Sequence, residues 1–403
     1  MHRRSTLVAI LATLVMTVPG IAEVTVEEVK QAVLKELQHD QPKASANPNV
    51  FNPAMGLVLD TAFQDTSSGR SEFKFRSAEL NISAAVDPYA KIFSVINGTP
   101  DGVEVEETFF MTTALPGNLT VRGGRMFANF GRLPHWHDHE LPFVDRTPSL
   151  ERFFDGEAQA DGIEIMHLFK TPFFLQGTAG AYRKLGADNN RLEQTDGRGN
   201  GQSAGRPLNA MTYLSRLFSF IPLGDDYGVD IGASEALTPK QYYINGVRVD
   251  NLNSARSVTG IDITFRYEPL ANNVYRKLIW GTELFRNDER REQALALDSN
   301  GDGIGDTNTY ERRHALGGYS YVDWRFAPQW STVAFYDAVQ DFDTRQILTT
   351  TFGTSLAFHV SEFQRIRLQL SQKRVNDGSP LDNQLFLQWF GTIGNHVHIF
   401  KDR

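Results

Sequence analysis

The sequence predicts an all-β protein: a transmembrane antiparallel up-and-down β-barrel of about sixteen strands, with a short helix ahead of it. Three observations carry that prediction. Strand-length runs with one apolar and one charged face follow one another from residue 54 onward, which is the two-residue period of extended chain. The connections between these runs are alternately short and long, the mark of a barrel with a tight-turn rim and a loop rim. Residues 1–22 read as a secretory signal peptide, with His2-Arg3-Arg4, the apolar run from Leu7 to Val18, and small residues at Gly20 and Ala22 before the cut.

Composition narrows the class. No run of eighteen apolar residues exists, so spanning helices are excluded, whereas a barrel strand needs only about ten alternating residues. Mean hydropathy is −0.34. Removing residues 1–22 takes away two arginines and no acid, moving the formal charge from −8 to −10, which argues against nucleic acid as a partner. The chain has no cysteine, so a disulfide framework, thiolate metal sites and thiol nucleophiles are all excluded.

Taken in order, residues 23–53 form a periplasmic helix and linker. Thr25 and Glu28 fit a capping box, Val26, Val29, Val33 and Leu37 make one stripe, and Gln41 to Pro53 is linker-like. Residues 54–403 are the barrel, with no further helix expected. The strand candidates are 54–63, 72–86, 89–97, 103–115, 118–127, 161–170, 172–184, 208–221, 227–236, 256–268, 273–286, 312–326, 329–339, 346–360, 363–374 and 383–393.

Alternation is clean in several of them. Ala78, Leu80, Ile82 and Ala84 oppose Glu79, Asn81 and Ser83; Ile261, Ile263 and Phe265 oppose Asp262, Thr264 and Arg266; Ile366, Leu368 and Leu370 oppose Arg365, Arg367 and Gln369. In the fourth run Val103, Val105, Phe109 and Met111 share one parity, and Glu107 breaks it. A membrane barrel turns the apolar rows to lipid and the charged rows to a wet lumen. The lumen candidates are Glu79, Glu104, Glu106, Arg122, Asp230, Asp262, Arg266, Arg365, Arg367 and Lys373. With both signs present, weak selectivity is expected. Trp280, Trp324, Trp330 and Trp389 fall where belt residues at the lipid headgroups would sit.

Three passages carry a family resemblance: Ala78-Glu79-Leu80 through Val86-Asp87-Pro88-Tyr89, the histidine-bearing stretch Gly102 to Asp145, and Ser361-Glu362-Phe363 through Gln369. They resemble bacterial outer-membrane proteins described as zinc-regulated or TonB-dependent-receptor-like, related in architecture to phosphate-selective porins. The resemblance implies a porin-like barrel with a metal-linked role.

Two stretches offer metal ligands. His135-Trp136-His137-Asp138-His139-Glu140 places imidazoles at spacing two, so in an extended segment His135, His137 and His139, with Asp138 and Glu140, could converge on zinc. Asp298, Asn300, Asp302 and Asp306 follow the first half of a calcium loop, but Thr309 stands where the closing acid belongs. His396 and His398 are expected near the opposite rim. No GxSxG element or other marked nucleophile is present, so the reading is non-enzymatic. The expectation is an outer-membrane channel in a diderm bacterium, passing small hydrophilic solutes and divalent metal ions such as zinc. Residues 128–159 would fold inward as its constriction, and the partners would be membrane lipid and further copies of the chain. The alternative is a closed barrel serving as a surface metal-binding or adhesion module.

Overall fold

The computed structural model describes residues 53–67, 69–186, 208–241, 243–244, 247–248, 254–269, 276–293 and 309–394. The signal-peptide and helix expectations over 1–52, the calcium-loop residues Asp298, Asn300, Asp302 and Asp306, and His396 and His398 lie outside the described residues.

Strands form where the alternation predicts them, and sixteen close into one antiparallel barrel. They are β1 (Ala54–Thr66), β2 (Arg70–Asp87), β3 (Ala90–Thr99), β4 (Gly102–Thr112), β5 (Leu119–Phe127), β6 (Gln159–Leu168), β7 (Phe174–Leu185) and β8 (Thr212–Pro222). There follow β9 (Tyr227–Thr238), β10 (Arg256–Tyr267), β11 (Lys277–Gln293), β12 (Thr309–Ala327), β13 (Trp330–Gln340), β14 (Leu348–Ser361), β15 (Gln364–Val375) and β16 (Asp382–Gly394). Closure comes from β1 pairing with β16, Leu57 opposite Ile393, so the barrel sheet itself has no free edge.

Polarity is inside out. Ile261, Ile263, Leu368 and Leu370 are 41–58% exposed on the outer surface, while Asp262, Thr264, Arg367 and Gln369 are at most 2% exposed. Trp280, Trp324, Trp330 and Trp389 all face outward, as belt residues do. Apolar rows can stay outside only where the surrounding medium is hydrocarbon, since so continuous an exposed band would drive association in water.

Three expectations are corrected. The connections expected over 64–71 and 98–102 contract to tight turns, because pairing continues to Thr66 opposite Arg70 and to Thr99 opposite Gly102. A helix does occur beyond Pro53. It is α1 (Pro148–Phe154), in the connection between β5 and β6, with Pro148 in its first turn and Asp155 closing it at φ 50°; seven residues are too few for helical periodicity to show in sequence. The single apolar face expected along β4 is broken at Glu106. Val95 pairs with Glu107 and Ile96 with Val105, so Glu106 is an extra, unpaired residue, a β-bulge. Beyond it the parity flips: Phe109 and Met111 turn inward beside Phe93, Val95 and Met126, and Phe110 turns outward.

A second bulge lies in β2, where Asp60 pairs with Ser77 and Thr61 with Phe75, leaving Arg76 as the extra residue. Each bulge turns a charged side chain toward the lumen out of sequence parity.

Part of the interior is dry. The β5–β6 connection folds into the barrel, where Phe130, Leu133, Leu141, Phe143, Leu150, Phe153 and Phe154 pack against wall residues Phe285, Tyr319, Tyr321 and Phe335 and against Phe342 in the connection after β13. Phe143 packs within this cluster, its ring centroid 5.1 Å from that of Phe335 and 6.2 Å from those of Tyr319 and Tyr321.

Candidate functional site

The site is the constriction that residues 128–158 make inside the barrel. Their backbone takes two 3-10 turns, Leu133–His135 and Asp138–Glu140, and then α1. Without sheet partners, the backbone and side chains of this loop must find hydrogen bonds on the wall. Asn129 donates its backbone N–H to Glu164 at 2.8 Å and its side-chain amide to Thr178 at 2.9 Å. Arg132 and Leu133 donate backbone N–H groups to Glu283, whose other oxygen accepts from Tyr319. On the far side Val144 donates its N–H to Gln369 at 2.7 Å, and Ser149 donates its own to Asp337 at 3.2 Å. Arg365 and Arg367 reach the carbonyls of His139 and Leu141 at 2.8 and 2.9 Å. Arg76, presented by its bulge, bonds Asp60, Asp145 and the Val144 carbonyl. The loop is thus fastened to opposite walls.

Five of the ten expected lumen residues, Glu79, Glu106, Asp230, Arg365 and Arg367, belong to this fastening, and three more, Arg122, Asp262 and Arg266, pair within the wall. Arg122 pairs with Glu164 at 2.6 Å. Asp230 holds Arg132 and Arg266, and Asp262 takes Arg216 through two bonds of 2.6 and 3.1 Å. Glu79 and Glu106 face the histidines. Glu104 is exposed near the rim. Of the ten, Lys373, Arg365 and Arg367 line the cavities beside the loop. The physical reason is electrostatic: a charge facing a narrow, low-dielectric lumen is stable when paired.

Among the described residues, two cavities lie along the wall of β11 to β16. The larger, about 540 Å³, lies toward the long-loop ends of the strands, between Asp145, Glu151 and Arg152 of the loop and Thr351, Gln369 and Lys373 of the wall. The smaller, about 70 Å³, lies toward the short-turn ends and meets Leu141, Asp323, Ser331, Arg365 and Arg367. The bond from Val144 to Gln369 and the Phe143 wedge stand between them. On the loop side of the larger cavity Asp138, Asp145, Glu151 and Asp155 outnumber Arg146 and Arg152, and Lys373 faces them from the wall. The Glu151 carboxyl is raised to about 7, first by loss of water inside the barrel and further by Asp138, Asp145 and Asp155, with Arg146 opposing.

The histidines do not converge as an extended segment would place them. His135 points its Nδ1 at the Phe130 carbonyl, 3.5 Å away, because the turns rotate successive side chains apart. His137 and His139 stack at 5.7 Å between centroids. His137 sits between Glu106 at Nδ1 and Glu107 at Nε2, both at 3.1 Å, and His139 Nδ1 lies 3.1 Å from Glu79. Burial opposes a charge on His137, but its bonds to Glu106 and Glu107 and the nearby Glu79 outweigh that and raise it to about 10. Asp138 pairs with Arg146 at 2.5 Å, away from the ring cluster, and Glu140 meets the smaller cavity. Glu107 and Arg76 are the functional residues that alternation misses. Their signal was a charged residue on an otherwise apolar parity, which marks a bulge.

No family model matches the chain. An uncharacterised protein of Aquifex aeolicus (strain VF5) is 26% identical over 348 residues, covering 81% of this chain and 69% of that one. The anion-selective porin from Comamonas acidovorans superposes with a TM-score of 0.52 at 10% identity, over 85% of this chain and 99% of the porin. OmpT, an outer membrane protein of Vibrio cholerae in trimer form, does so at 0.51 and 10%, over 85% and 99%. The fold is that of porin-like outer-membrane barrels.

Proposed function

We propose that this barrel is an outer-membrane channel for passive passage of small hydrophilic solutes, running along the wall of β11 to β16 and narrowed by the loop over 128–158. The observation that carries this reading is the pair of polar cavities on either side of the Val144–Gln369 contact, set in a barrel whose apolar surface faces outward. The porin likeness supports it through fold alone. The signal peptide over 1–22 would deliver the chain to the membrane, and no step of the reading requires a catalytic group. Purified protein in planar bilayers is expected to give steady, reproducible conductance; a barrel silent across many preparations would remove the channel claim.

With Glu151 ionised, the excess of one acid over Arg146, Arg152 and Lys373 in the larger cavity favours cations, divalent metal ions such as zinc among them, over anions. Glu151 makes that preference depend on pH. Its carboxyl is neutral below about 7 and ionised above, so the cavity gains one negative charge between pH 6 and pH 8. The cation-to-anion permeability ratio, read from reversal potentials, is expected to rise over that interval, and Glu151→Gln should flatten the rise. An unchanged slope in the variant would place the ion path elsewhere.

The second reading, a closed barrel that binds a surface ligand without conducting, draws on one specific observation: the loop bonds directly to the wall at Gln369 and Arg367. Bilayer recording separates the two. Homo-oligomer formation belongs to the first reading on the strength of the OmpT trimer form, and the native mass of the detergent-solubilised particle tests it.

A further inference from the structure

We propose that Glu79, Glu106 and His137 form a site for one borderline divalent cation that locks the constriction loop to the barrel wall. The ligands come from three separate places: β2, the bulge of β4, and the loop. Their donor atoms lie within 4.8 Å of one another. His137 Nδ1 is 3.1 Å from Glu106 and 3.8 Å from Glu79, close to the roughly 3–4 Å that separates neighbouring ligands of an ion held at about 2.1 Å. All three residues are at most 5% exposed.

The outer groups have the arrangement that a metal-bound imidazole requires. With Nδ1 on the ion, His137 Nε2–H donates to Glu107 at 3.1 Å, which fixes the tautomer and strengthens the ligand. The second oxygen of Glu79 is held by His139 Nδ1 at 3.1 Å, which orients that carboxylate in turn. The bulge is what makes this possible. In an unbroken strand Glu106 and Glu107 would point to opposite faces, whereas here they reach the two nitrogens of one ring. An imidazole with two carboxylates suits zinc, manganese or ferrous iron and holds no soft ligand. The ion replaces the Nδ1 proton, which leaves to solvent.

This ligand set differs from the run of alternating histidines, because it excludes His135, and it stands whether or not the barrel conducts. Folded barrel in detergent, stripped with chelator, is titrated with zinc in a calorimeter, and heat-modifiable migration on gels confirms that each variant is folded. Wild type is expected to bind one zinc per chain. Glu79→Gln and His137→Gln should lose that binding, and Glu106→Gln carries the same arm if either fails to fold. Glu107→Gln should weaken binding by about 10–100-fold, as loss of an outer partner does, while His135→Ala should bind as wild type does. No stoichiometric zinc in wild type would overturn the site, leaving His137 as an imidazolium between carboxylates; so would undiminished binding in the Glu79 and His137 variants, or loss in His135→Ala.

Discussion

Excising residues 131–156 and joining β5 to β6 by a short turn is expected to raise single-channel conductance several-fold. Phe127 pairs directly with Gln159, so the two strands need only a hairpin connection once the loop is gone. A barrel of sixteen strands leaves an aqueous channel when nothing fills it, and in this chain the filling is the loop. The excision uncovers Phe285, Tyr319, Tyr321 and Phe335, so the variant should also unfold at lower temperature. Phe143→Ala is the milder form of the same experiment. Its ring is fully buried among Tyr319, Tyr321 and Phe335, and truncating such a phenylalanine costs about 3–5 kcal/mol. Here the loss falls on loop docking rather than on the strands, so noisier and larger currents should appear before any loss of the folded barrel. Conductance equal to wild type in both variants would mean that solutes do not pass the loop.

Arg122→Ala is expected to destabilise the barrel by about 3–5 kcal/mol, the range for removing one partner of a buried ion pair, with little change in ion selectivity. Arg122 is 3% exposed. It pairs with Glu164, donates to the Phe127 carbonyl at 2.8 Å and stacks over Phe109. Glu164 also accepts from Tyr182 and from the backbone of Asn129, so the variant leaves a buried carboxylate facing only neutral donors, at the point where the loop leaves β5. Denaturant unfolding followed by gel migration measures the effect. A shift in selectivity without loss of stability would return Arg122 to the pore lining.

The histidine loop shows where a one-dimensional pattern stops being informative. Alternation identifies Glu79 and Glu106 as inward-facing and identifies the histidines as ligands, but as two separate lists. They meet because the loop turns back across the lumen and brings His137 and His139 onto β2 and β4. The two bulges were visible only as interruptions, Glu107 among Val103, Val105, Phe109 and Met111, and Arg76 beside Ala78 and Leu80. An interruption marks a change of parity without saying which way the extra residue turns.

Apart from the turns at 64–71 and 98–102 and the stretch of β4 beyond its bulge, the sequence by itself determined the strand count, the order of short and long connections and the side of each strand that meets lipid. Those depend on nearest-neighbour periodicity and on the medium outside, and both are local. Only the tertiary structure decided that part of the lumen is filled by apolar side chains, that most inward charges are paired, and that the loop is fastened at opposite walls. Such contacts join residues as far apart as Val144 and Gln369, and pairing at that separation depends on closure of the whole barrel, which no local period encodes.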